Sequence, residues 1–197
     1  MEVTFLLMAK QFMNKQITTQ EEIVSKTKKA IIDESKRIEE NCLYTAKGHF
    51  VAAQFWTNFH LWIGIPTVIL AAIAGITAFA KFDENNILAG VLSIIVVVLT
   101  AVTTFLNPKE RANTYLISGN NYDSLLTKAR IFWTIDCREE NSEQVLTEKL
   151  KDLSDRRDKL NRESPQVPTW AYKKAKKGIE EGEADYRIDK KLKDLTY

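Results

Sequence analysis

Hydrophobic and polar positions in this chain fall into two regimes. From Leu61 to Ala80 (LWIGIPTVILAAIAGITAFA) and again from Ile87 to Leu106 (ILAGVLSIIVVVLTAVTTFL) there is no Lys, Arg, Asp or Glu. Each run is 20 residues long, which as a helix spans about 30 Å, the thickness of a bilayer hydrocarbon core. The link between them, Lys81–Asn86 (KFDENN), is polar and only six residues long. Two helices joined so closely must run antiparallel, so the pattern predicts a transmembrane hairpin.

Outside the hairpin the apolar residues recur at helical spacing among many charges. Val24, Ile31 and Ile38 are seven residues apart, with Cys42 beyond them, and this predicts an amphipathic helix that begins near Thr19 and runs on into the first span. Beyond Asn107-Pro108, which should break or bend the chain, Tyr115, Tyr122, Leu125, Leu126 and Ala129 share one face. Ser118-Gly119-Asn120-Asn121 interrupts that face as a turn or a kink. Val145, Leu146, Leu150, Leu153 and Leu160 form another stripe, ended by Pro165 and Pro168, and a last helix is expected over Thr169–Leu195. No segment alternates in the manner of paired strands. The expected fold is all-α, a two-helix transmembrane hairpin with a cytoplasmic helical bundle. Its parts are an N-terminal segment (1–18), an amphipathic helix (19–60), the hairpin (61–106) and a second helical region (107–197).

Phe50, Phe55, Trp56, Phe59 and Trp62 crowd the approach to the first span and read as an interfacial aromatic belt. Lys47, Lys109 and Arg111 lie on the side of the termini, whereas the connector holds one Lys against Asp83 and Glu84. Basic residues favour the cytoplasmic side, which places both termini there.

Charge is nearly balanced, with 28 Lys and Arg against 26 Asp and Glu, an average that hides the charge-free spans. Two lone cysteines, Cys42 and Cys137, argue against a disulfide framework and fit a reducing compartment. With His49 and His60 as the only histidines, no metal-ligand spacing is present and no metal or cofactor is expected. No phosphate loop, serine elbow or paired carboxylates stand out, so no catalytic residue is assigned. The basic run Lys173-Lys174-Ala175-Lys176-Lys177 reads as a solvated helix face or a contact for anionic lipid or nucleotide.

Within the hairpin, Ser93, Thr100 and Thr104 fall on one face of the second span. They would line a pore built from several hairpins, or bond back to helix carbonyls and only pack. Ala71, Ala74, Gly75 and Ala78 make a small-residue ridge on the first span, with Ala89 and Gly90 opposing on the second, and such residues let helix backbones approach closely in lipid. Pro66 breaks the hydrogen-bond ladder of the first span and marks a static kink or a hinge. Two helices cannot enclose water, so any channel must be a homo-oligomer.

The stretch NPKERANTYLISGNNYDSLLTKARIF, Asn107 to Phe132, resembles the region after the second membrane helix of the SLATT family, the two-transmembrane effectors associated with SMODS nucleotidyltransferases and SLOG sensors. The tail SPQVPTWAYKKAKKGIEEGE, Ser164 to Glu183, is similar to that family's C-terminal element. The likeness extends from about Lys28 to Tyr186. It implies a non-enzymatic effector of bacterial anti-phage defence that forms a pore or perturbs the inner membrane when triggered. The implied partner is a nucleotide second-messenger synthase or a reverse transcriptase of the same system, with no direct binding of nucleic acid. The rival expectation is a membrane-anchored helical scaffold.

Overall fold

The computed structural model describes residues 2–80, 87–139 and 142–186, with side chains in the first helix from Ser25 to Phe79. The connector of the hairpin therefore lies outside the described residues. Five α-helices carry the described chain, and no strand occurs among those residues. The fold is all-α, as the hydrophobic pattern predicts.

The first helix, α1 (Glu2–Ala80), is 79 residues long. Its start lies upstream of the expected one at Thr19, and the physical reason is plain. Between Glu2 and Lys47 there is neither Gly nor Pro, so the polar Thr18-Thr19 pair is carried inside the helix instead of capping it. Pro66 also sits inside α1. The next residue, Thr67, donates its hydroxyl to the Ile63 carbonyl at 2.7 Å, a local bond that keeps polar groups satisfied in an apolar stretch.

α2 (Ile87–Leu106) and α3 (Pro108–Ile131) are separated by Asn107 alone, at φ 43°. Pro108 has no N–H and disfavours the right-handed helical region at the residue before it. Asn is the non-glycine residue that tolerates the left-handed region best. α3 runs through Ser118–Asn121 without a turn. Gly119 serves packing instead: a Cβ there would lie 2.6 Å from the Phe50 ring.

After α3 comes a π-helical turn, Phe132–Asp136, closed by a bond from the Cys137 N–H to the Phe132 carbonyl at 2.9 Å. α4 (Glu143–Glu163) follows, and the two prolines end it as expected. α5 (Thr169–Glu180) stops well before Leu195. Its end is a Schellman motif, with Gly182 at φ 86°, the Glu183 N–H on the Gly178 carbonyl and the Gly182 N–H on the Ile179 carbonyl, both at 3.0 Å. The stretch beyond Tyr186 lies outside the described residues.

The fold divides into two compact units. One comprises Met1–Leu43 and Asn121–Glu163. Its core is made of large side chains, Ile31, Ile38, Tyr122, Leu125, Leu126, Phe132, Leu146 and Leu153. The Tyr122 hydroxyl donates to Asn161 Oδ1 at 2.8 Å. Trp133 in the π turn donates its indole N–H to Glu39, and Lys36 Nζ stands 4.9 Å from the same ring.

The other unit comprises Tyr44–Asn120 and Ser164–Tyr197. Apart from His49, its buried side chains are mostly small, including Ala46, Ala52, Ala53, Ala112, Ala171 and Ala175, which lets helices approach closely. Gly48 is part of this economy of space, since a Cβ there would meet Val167 at 2.7 Å.

Candidate functional site

The part of the molecule that no soluble core explains is the hairpin. Both apolar stretches pass the length and composition test for crossing a membrane, and only 6% of the most apolar window of each is buried. A core helix of a soluble protein would be mostly covered. Here Ile65, Val68, Ile76, Ile94, Val97 and Val98 are all exposed, an area of apolar surface that only lipid or another copy can satisfy.

The expected site residues fall on this surface as follows. Ser93, Thr100 and Thr104 are exposed. Thr100 and Thr104 share a shallow groove of about 590 Å³ with Val96, Ala101 and Phe105. Ser93 is not among its lining residues, and its hydroxyl donates to the Ala89 carbonyl at 2.8 Å. Ala71, Gly75, Ala78 and Gly90 are exposed as well, and a Cβ on Gly75 or Gly90 would meet nothing within 4 Å. Of the small residues on that ridge and opposite it, Ala74 and Ala89 are buried. Pro66 is exposed within the continuous helix.

Before the first span, Phe55, Trp56 and Phe59 of the aromatic belt form a connected cluster. Phe55 stacks on Phe59 at 6.2 Å and meets Trp56 edge-on at 5.5 Å, and Trp170 of α5 comes to 5.0 Å from Phe55. These are ordinary aromatic pair distances. Arg111 reaches back from α3. Its guanidinium carbon lies 5.1 Å from the Trp56 ring, and its Nε donates to the Leu106 carbonyl at 2.8 Å. Leu106 is the last residue of α2, whose terminal carbonyls have no intrahelical donor, so the Arg111 side chain satisfies one of them. Asn107 donates its side-chain amide to Glu110 beside it. Sequence reasoning assigned Arg111 only to the charge bias, and the Asn107–Arg111 clamp was not anticipated. The signal available was a cation three residues after an Asn-Pro helix break.

A groove of about 680 Å³ opens in the same unit, lined by Phe50, Gln54, Thr57 and His60 from α1 and by Asn107, Glu110 and Asn113 from the junction and α3. Deeper, His49 is 1% exposed with its ring 5.7 Å from that of Tyr115. Burial pushes its pKa down to about 4, so it is neutral at physiological pH. Cys42 and Cys137 are each 1% exposed. Burial raises the Cys42 thiol to about 11, against a small opposing pull from Arg157, and burial raises Cys137 too. Both stay thiols near neutral pH, in the state of structural rather than nucleophilic cysteines. Among the described residues no three His, Cys, Asp or Glu side chains converge as a metal site would require.

The apolar windows of the hairpin are thus largely uncovered by protein, and charge-rich helices flank them in sequence. The sequence pattern of SMODS and SLOG-associating 2TM effector domain family 4 matches residues 29–190. The chain belongs to this family. The match takes in both apolar spans, which supply the two transmembrane segments of a 2TM effector, and both helical regions around them. Membership in the SMODS and SLOG-associating 2TM effectors makes the chain an effector of a defence system. No curated protein and no solved structure matches it.

Proposed function

We propose that this chain is the membrane effector of a bacterial anti-phage system, and that on a trigger it oligomerises in the inner membrane and opens it, stopping growth or killing the cell. The observation that carries this reading is the bare hairpin, with 6% burial of each apolar window in a family of 2TM effectors. One hairpin cannot enclose water, so a leak requires several. Exposed Ala71, Gly75, Ala78 and Gly90 offer the close-approach surface between copies. Thr100 and Thr104, with Ser93 one turn-pair earlier, offer the weakly polar face of the lumen. Pro66 offers a point of bending in the first span. Both termini face the cytoplasm, and the trigger comes from a partner of the same system, a nucleotide second-messenger synthase or a reverse transcriptase. The chain acts without catalysis, cofactor or direct contact to nucleic acid.

A second reading is supported by one specific observation. The Ser93 hydroxyl bonds to its own helix at Ala89, as a hydroxyl that only packs would do, and the hairpin would then anchor a helical scaffold. Two variants separate the readings. Ser93→Val/Thr100→Val/Thr104→Val, still inserted, abolishes toxicity if these residues line a leak, and unchanged toxicity refutes the lining. Exchanging the hairpin for an unrelated one preserves function in a scaffold and destroys it in a pore.

A further inference from the structure

α5 carries four exposed lysines, Lys173, Lys174, Lys176 and Lys177, while Ala171, Ala175 and Gly178 bury its opposite face. Lys176 and Lys177 lie 3.7 Å from Glu180 and Glu181 along the same helix. Lys173 and Lys174 form no ion pair among the described residues. Charge alone would make this a solvated face. Its placement argues otherwise.

Trp170, 46% exposed, opens the helix against Phe55 of the aromatic belt. Trp170 and Lys174 then line a groove of about 410 Å³ together with Lys47, Gln54, Phe55 and Asn58 of α1. Asn58 precedes Leu61, the first residue of the span, by three positions, or roughly 4.5 Å along a helix. The polar layer of a bilayer is about 5–7 Å thick on each side. The inner end of the groove therefore stands at headgroup depth. Its wall is an aromatic ring with a polar edge, the residue type favoured there, and its charge is positive. Lys47 pairs with Glu183 at 2.8 Å, and Lys174 lies within electrostatic reach of the same carboxylate, so two groove lysines share one carboxylate and a net positive charge remains.

We propose that α5 and this groove bind the headgroup of an anionic phospholipid from the leaflet that α1 enters at Leu61, with Trp170 at the glycerol level and Lys173 and Lys174 on the phosphate. The proposal rests on the hairpin being inserted and not on its forming a pore.

The test uses the full chain, purified in neutral detergent and reconstituted into nanodiscs of phosphatidylcholine alone or of phosphatidylcholine with phosphatidylglycerol. Trp170 fluorescence is isolated by difference from Trp170→Phe, and short-chain phosphatidylglycerol, short-chain phosphatidylcholine and inorganic phosphate are titrated in detergent. The expected result is a shift of Trp170 emission with phosphatidylglycerol only, weakened by salt. Lys173→Gln/Lys174→Gln weakens it roughly 30-fold, from about 1 kcal/mol per lysine near an anionic surface. Both lysines are exposed, so the variant folds. Equal response to the two lipids, an unchanged response in the double variant, or the same response to inorganic phosphate would overturn the proposal. Insertion is scored separately by resistance to carbonate extraction, and its loss in the unsubstituted chain would overturn the membrane reading itself.

Discussion

His49 is the residue at which burial and charge are most directly opposed. Its folded pKa of about 4 lies below the ordinary 6.5, so the unfolded chain binds the proton first as pH falls. Stability is then fully present above about 6.5 and is lost as pH drops toward 4, by up to roughly 3 kcal/mol. Thermal unfolding in detergent should show this slope, and His49→Gln should flatten it. The buried thiols give a second expectation: Cys42 and Cys137 should resist maleimide in the folded chain and react once it unfolds. A third concerns Gly119. Gly119→Ala would place a Cβ 2.6 Å from the Phe50 ring, and should lower stability by about 1–2 kcal/mol, recovered in part by Phe50→Leu. The burial of Cys42 follows from its place on the apolar stripe of α1, but the environments of His49 and Gly119 were not legible in the sequence. The ring partner of His49, Tyr115, lies on a different helix, and Gly119 read as a turn or kink because its neighbour Phe50 is distant in sequence.

Elements were more legible than their junctions. The two spans stand out because they lack charge, and α4 ends where two prolines require it. The start of α1 was missed because a polar Thr pair resembles a cap whether or not the chain is helical before it. The end of α5 was missed because the charge-rich tail keeps good helix formers past the point where Gly182 closes the Schellman motif. The π turn at Phe132–Asp136 leaves no periodic trace, being a single wide turn at the end of α3. The α2–α3 junction makes the sharpest element-level prediction. Arg111→Ala removes both the bond to the Leu106 carbonyl and the stack on Trp56, and should cost about 1–2 kcal/mol in thermal unfolding. Asn107→Gly should be tolerated at φ 43°, whereas Asn107→Val should be destabilising, since a β-branched residue resists that conformation.

At the scale of the whole molecule, the residues that could decide between anchor and pore are those that one chain leaves uncovered. Gly75 and Gly90 have open space around them, so Gly75→Leu or Gly90→Leu should leave the fold of a single chain intact while reducing cross-linked oligomers in membranes. That surface was legible as small residues, but its partner was not, because a single sequence carries no record of which copy or helix it meets. Membrane potential in bacteria under graded induction of the full chain tests the central claim most directly, alongside Ile94→Lys/Val98→Lys, which puts charge on exposed positions of α2. Depolarisation by the chain and not by the charged variant is the predicted result. A potential that holds steady while the chain is inserted and cross-links as an oligomer would contradict the account.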